Sequence, residues 1–214
     1  MSPSPRDVVL QISGISLDGF IAVEDSDFDL EATKVIDPQR DQWMVDSINE
    51  AGVHIMGRLT YQAMANWWPD STEVFAEPMN RIPKVVFSTS LQTAPWGDDT
   101  RILRGDIATE IAALKTEPGP GVILAHGGAA FDQSLAAADL VDEYRLIIYP
   151  FVVGSGMALF AGVTTARHLD LRHAVSFPLR GPGLSTLNHH PPHLTSQRGD
   201  ARASSAPITD DDYN

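Results

Sequence analysis

The stretch Val53-His54-Ile55-Met56-Gly57-Arg58-Leu59-Thr60-Tyr61 constrains the chain more than any other. It reads as a short buried strand that stops at a glycine and turns straight into a helix. Gly57 lets the backbone turn tightly and admits a ligand close to the main chain. The helix that follows begins with unpaired backbone N–H groups, and its dipole makes that end attractive to a phosphate. Arg58 adds a charge-assisted donor able to bind in a bidentate manner, and Thr60 adds a hydroxyl. The unit is a candidate phosphate cradle. Taken alone, it is equally an ordinary strand–helix turn with a surface arginine.

The 214 residues, 43% of them hydrophobic, suit one domain of α/β size with a sizeable core. No apolar run is long enough to span a membrane, and Val8–Ile15 is too short and too β-like for a signal peptide. A soluble, cytoplasmic protein is the expectation. With 0 cysteines, disulfides and thiolate metal sites are excluded. A formal net charge of −13 opposes general binding to nucleic acid or to anionic membranes, which needs basic patches. Locally concentrated donors can still hold an anionic cofactor.

Strand and helix patterns alternate through the middle of the chain. Val8–Ser13 has the β-branched content of a core strand, and Asp18-Gly19 is a turn signal before Phe20-Ile21-Ala22. Glu24 to Pro38 reads as a long acidic loop, a possible flap by length. Helical spacing of Trp43, Met44, Ser47, Ile48 and Ala51 predicts a helix over Arg40–Ala51. Lys84–Ser88, Arg101–Leu103, Val122–Ala125 and Asp142–Tyr149 read as strands. Asp106 is placed to cap a helix over Ile107–Lys115, and a second helix follows Gly127-Gly128. His168–Val175 and Leu184–Leu187 form a closing antiparallel pair. The predicted fold is α/β: a mixed, mostly parallel sheet between two helical layers. Residues 1–188 make the domain. Residues 189–214, rich in Pro, Ser and Asp, read as a disordered or loosely attached tail, and His189, His190 and His193 within it carry no metal-site expectation.

Three strand ends resemble one another. Gly57-Arg58-x-Thr60 opens one helix, Ser88-Thr89-Ser90 follows a second strand, and Gly127-Gly128 opens another helix. The carboxyl ends of parallel strands line one crevice, where ligands of such folds bind. Two helix N-termini and a hydroxyl cluster along it suit a dinucleotide. Each signal alone is weak, and their occurrence at successive strand ends gives them weight. Trp43, Trp67, Trp68 and Phe151 are able to stack on a heteroaromatic ring, though at least two of them read better as core or dimer contacts.

Ile55-Met56-Gly57-Arg58-x-Thr60-Tyr61 resembles the cofactor motif of dihydrofolate reductases. Three further segments resemble the reductase half of the bifunctional riboflavin-biosynthesis deaminase-reductase and its stand-alone bacterial relatives. They are Ser16-Leu17-Asp18-Gly19, the Gly127-Gly128 turn, and Leu140–Leu146 through Pro150 to Gly154–Phe160. The resemblance runs from about Val8 to Leu187. It implies a dihydrofolate reductase-like three-layer αβα sandwich, bound NADPH and often a homodimer. It puts Gly57, Arg58 and Thr60 on the cofactor phosphates, Ser88 and Ser90 near the adenosine end, and Gly127 and Gly128 against the pyrophosphate. NADH stays open as the alternative cofactor. A zinc deaminase half needs a Pro-Cys-x-x-Cys run, so without cysteine that activity is expected to be absent.

Two carboxylates are candidates for the catalytic role. Asp18 lies on the loop where related reductases hold substrate, and on sequence alone reads more readily as a plain Asp-Gly turn. Asp41 has the spacing of the pterin-binding carboxylate of dihydrofolate reductases, and reads more readily as an acid favoured by a helix dipole. The expectation is an NADPH-dependent reductase of a small heteroaromatic or carbonyl substrate, pyrimidine or pterin first. The alternative is a nucleotide-binding or sensing module without turnover.

Overall fold

The computed structural model describes residues 5–22, 37–177 and 183–189. Its centre is an eight-stranded sheet. The strands are β1 (Val8–Ser16), β3 (Ala51–Gly57), β4 (Lys84–Phe87), β5 (Arg101–Leu103), β6 (Val122–His126), β7 (Glu143–Tyr149), β9 (Leu169–Ser176) and β10 (Gly183–His189). They lie in the order β5-β4-β3-β6-β1-β7-β10-β9. The first six are parallel, and β10 and then β9 add antiparallel to that edge. A two-stranded pair, β2 (Phe20–Ala22) with β8 (Met157–Ala158), sits apart. The expected mixed, mostly parallel sheet is therefore present, with the closing antiparallel pair where the sequence puts it.

Helices α1 (Pro38–Asn49), α2 (Arg58–Trp67), α3 (Ala76–Arg81), α4 (Ile107–Thr116) and α5 (Ala129–Ala137) complete the structure. Alternation along the strands sorts them into two layers. Leu10, Ile55, Val85, Ile123 and Ala125 pack with Ile111 and Leu114 of α4 and Phe131 and Leu135 of α5. Their neighbours Val9, Met56, Val86 and Leu124 pack with Ile48 of α1, Tyr61 of α2 and Met79 of α3. Both faces of the central strands are thus buried, which is why their sequences read as continuous apolar runs. Ile55, Met56, Val85 and Val86 are fully buried. Each such side chain contributes about 1.5–3 kcal/mol relative to exposure.

Local signals fix the helix starts. Asp37 caps α1 by accepting from Gln39 and Arg40, with Pro38 at the first position, so the helix begins two residues before the predicted Arg40. Asp106 caps α4 as expected, accepting from the Thr109 N–H at 3.0 Å. The segment Phe151–Gly162, read from sequence as a loop, includes the short strand β8. Short α3 was not predicted. Most of the acidic stretch Glu24–Pro38, and the tail after His189, lie outside the described residues.

Candidate functional site

One helical layer of the sheet carries an unusual row of polar side chains. Lys84 on β4, His54 on β3, His126 on β6, Gln11 on β1 and Arg145 on β7 are all buried beneath α1–α3. His54 Nδ1 and His126 Nε2 share a short hydrogen bond, with ring centroids 4.4 Å apart. Burial is the main force that holds the proton affinity of both imidazoles down, and the Lys84 charge adds to it; His126 falls to about 4. Both are neutral at neutral pH. Lys84 donates to the Asn80 carbonyl at 2.6 Å and lies 4.5 Å from the Trp96 ring centre, and burial lowers it to about 8. Gln11 accepts from Ser47 of α1, which in turn accepts from Arg145 at 2.6 Å.

The row opens onto a cavity of about 380 Å³ at the carboxyl ends of β1 and β6. Its floor includes Gln11, Ser13, His126 and Asp132, and its wall Met44, Ile48, Met64, Trp68, Phe75 and Met79. Gly127, Gly128 and Ala129 form its rim toward α5. Asp132, in the first turn of α5, is 1% exposed, and its Oδ1 has no hydrogen-bond partner. Burial pushes its carboxyl up to about 7.

Beside the cavity, adjacent strands β3 and β6 each run into a helix through glycine. Gly57 is the N-cap of α2 and Gly128 that of α5, and neither helix start has a capping side chain. Their first N–H groups therefore face outward without a side-chain acceptor. Thr60 joins the two starts, donating its hydroxyl to the Gly127 carbonyl at 2.9 Å. Both glycines of the pair have positive φ, +29 and +105. A Cβ at Gly128 would lie 2.3 Å from Thr60 Oγ1, whereas one at Gly127 meets nothing within 4 Å. The space over Gly127 is open, and main chain forms its base. This is the shape and polarity that a pyrophosphate needs, so the residues present fit a dinucleotide.

The remaining predicted residues distribute as follows. Arg58 is half-buried at the α2 start and donates to Gln62 at 3.0 Å. Ser88 Oγ accepts from the N–H groups of Ser90 and Leu91, closing a local turn, and Ser90 is exposed. Asp18 is exposed and lies outside the cavity lining. A hydrogen bond from Ser16, then those from Gly154 and Val153, hold its carboxyl below the usual range and tie the β1–β2 turn to the 151–156 loop. Asp41 pairs with its neighbour Arg40 at 2.8 Å, also outside the lining. Of the four aromatic candidates, Trp68 lines the cavity; Trp43 and Phe151 pack against the buried cluster of Ile147, Tyr149 and Phe177, and Trp67 is exposed.

His54, His126 and Asp132 were not singled out from sequence. Two signals were available. His54 interrupts an apolar strand, and Asp132 sits amid the apolar residues of FDQSLAA, where a buried helix face calls for none. Among the described residues no group of three or more His, Cys, Asp or Glu is placed to hold a metal, and no helix is long and apolar enough to cross a membrane.

Comparison with known proteins bears on the family and the fold. Two Bacillus subtilis (strain 168) proteins, both described as uncharacterized, are similar. YyaP is 29% identical over 178 residues, covering 80% of this chain and 89% of its own. YwjB is 31% identical over 172 residues, covering 80% and 92%. The crystal structure of a putative riboflavin biosynthesis protein from Shewanella sp. PV-4 superposes with a TM-score of 0.67 at 21% identity, over 86% of this chain and 99% of that one. Dihydrofolate reductase from Enterococcus faecalis, solved with NADP(H), superposes with a TM-score of 0.55 at 11% identity, over 86% and 97%. The fold is thus dihydrofolate reductase-like. The profile of the RibD C-terminal domain matches residues 7–179, and the chain belongs to that family.

Proposed function

We propose that the protein is an NADPH-dependent reductase of a small nitrogen heterocycle or carbonyl compound. The observation that carries this reading is the pair of uncapped helix starts on β3 and β6, tied together by Thr60 and Gly127 beside a mainly apolar cavity. In this reading the N-termini of α2 and α5 and the guanidinium of Arg58 hold the cofactor phosphates. Gly57, Gly127 and Gly128 let them approach the main chain, and Thr60 fixes the turn they rest on. Ser88 and Ser90 stand at the next strand end, toward the adenosine. The bound cofactor supplies a hydride. Met64, Trp68, Phe75 and Met79 bind a flat ring and exclude water from it, while Gln11 and neutral His126 face its polar edge.

The reading includes the homodimer implied by the resemblance. Leu171, exposed on edge strand β9, accords with it, and light scattering on the purified protein tests it.

The second reading is a nucleotide-binding module without turnover. It is favoured by the position of Asp18 and Asp41, both outside the cavity lining and both engaged by neighbours. One experiment separates the two. NADPH absorbance is followed with purified protein and a panel of pyrimidines, dihydropterins and carbonyl compounds. Saturable oxidation of NADPH by one panel member supports the reductase; NADPH binding with no turnover across the panel supports the module.

A further inference from the structure

We propose that Asp132 delivers the proton that accompanies hydride transfer. The proposal rests on the reductase reading above and concerns a residue of α5 that lies outside the cofactor motif.

The argument begins with the helix. Its N-cap is Gly128, so Asp132 falls in the first turn, and Phe131, Leu135 and Ala136 around it are core residues. A carboxyl among them is costly unless it is satisfied or used. Asp132 is almost wholly buried, its Oδ1 is unpartnered, and it lines the cavity together with the Gly127-Gly128 turn and the Ile12–Gly14 stretch of β1. A substrate ring in that cavity would meet it directly.

The other titratable groups facing the cavity do not suit the task. His126, from β6, is engaged with His54 and is neutral at neutral pH. Glu73, from the segment before α3, is exposed to solvent. The cavity positions on β1 (Gln11, Ile12, Ser13) and β2 (Ile21) carry no titratable group. Asp132 therefore stands as the one described group in the lining that holds an acidic proton near neutrality, and burial is what keeps it there.

The step balances without further reactants. Hydride from the reduced nicotinamide forms a C–H bond at the carbon of a ring C=N bond. The C=N π pair moves to nitrogen, the Asp132 O–H bond breaks, and an N–H bond forms. Asp132 is left as a carboxylate and takes its next proton from water once the product leaves.

The test uses wild type and Asp132→Asn, which keeps the side-chain shape. Carboxyl carbon resonances of the ligand-free proteins are titrated by NMR. A carboxyl with its midpoint near pH 7, present in wild type and missing in the variant, is the expected result. If every carboxyl of wild type titrates in the ordinary carboxylate range, the proposal is overturned. Kinetics with NADPH and 7,8-dihydropterin, as the C=N probe, provide the second arm. The expected result is a fall in kcat of about a hundredfold or more in Asp132→Asn with the NADPH dissociation constant unchanged. Normal NADPH binding with an unchanged kcat overturns the donor role alone. Absence of NADPH binding in both proteins overturns the reductase reading, and the donor role with it.

Discussion

The Thr60 hydroxyl on α2 donates to the carbonyl of Gly127, 67 residues further along the chain, at 2.9 Å. This single contact sets the spacing between two helix N-termini on adjacent parallel strands. It also accounts for glycine at position 128, because any Cβ there would collide with the same hydroxyl.

Removing that hydroxyl while keeping the shape, with Thr60→Val, leaves the Gly127 carbonyl without its donor. Stability should fall by about 1 kcal/mol. NADPH affinity should fall too, because the two helix starts are no longer held at a fixed distance. Denaturant unfolding and cofactor titration on the same preparations check both halves. A variant of lower stability but normal affinity would show that the contact serves folding alone.

Arg58→Ala should act on binding and spare the fold. The guanidinium donates to Gln62 in an exposed hydrogen bond, so little stability depends on it. Loss of a charge-assisted phosphate contact costs about 1.5–3 kcal/mol, or roughly ten- to a hundredfold in affinity. Fluorescence titration with NADPH reads this directly. Equal affinities would mean that Arg58 points away from the cofactor.

Asp132 also predicts a pH dependence of stability. Its folded-state value, about 7, is raised above the ordinary aspartate value of 3.8. Between those values the unfolded chain has lost the proton and the folded chain keeps it, so stability contributed by this group is full below pH 4 and declines up to about pH 7. Three units correspond to about 4 kcal/mol as an upper bound. Asp132→Asn removes the titration. Its stability relative to wild type should therefore rise steadily from pH 4 to pH 7 and level off above. Denaturation curves across that range check it, and a constant difference between the two proteins would contradict the raised value. The buried histidines run the other way: their depressed values make acid destabilising below about pH 6.5 in both proteins, so they cancel in the comparison.

The parts of this molecule that could be read from sequence are those dictated by short-range chemistry. β3 and the start of α2 follow from an apolar run ending at Gly57, and α4 from Asp106 ahead of Ile107, Ile111 and Leu114. The Gly127-Gly128 turn was legible because it punctuates an apolar strand. What stayed hidden depends on which residues the topology brings together. Strand order places β6 between β3 and β1, which seats His126 beside His54 across 72 positions of sequence and opens Gln11 and Asp132 onto one cavity. The local signals at His54 and Asp132 fit a core histidine and a helix-start acid as well as they fit a site. Asp18 illustrates the reverse case. Its position after the first strand matched a family pattern, yet its carboxylate is spent on the N–H groups of Val153 and Gly154.

The claim that the crevice at Gly127 holds a dinucleotide is tested most directly by calorimetric titration of NADPH into wild type and Gly127→Val. A Cβ at this position meets nothing within 4 Å, so the substitution projects a side chain into the open space of the crevice. The positive φ adds strain of about 1–3 kcal/mol, and circular dichroism on the same samples establishes that the variant is folded. The account predicts saturable binding by wild type, with a dissociation constant on the order of micromolar, and at least about a hundredfold weakening in the folded variant. Equal affinity in the two proteins, or no saturable binding by wild type, would contradict it.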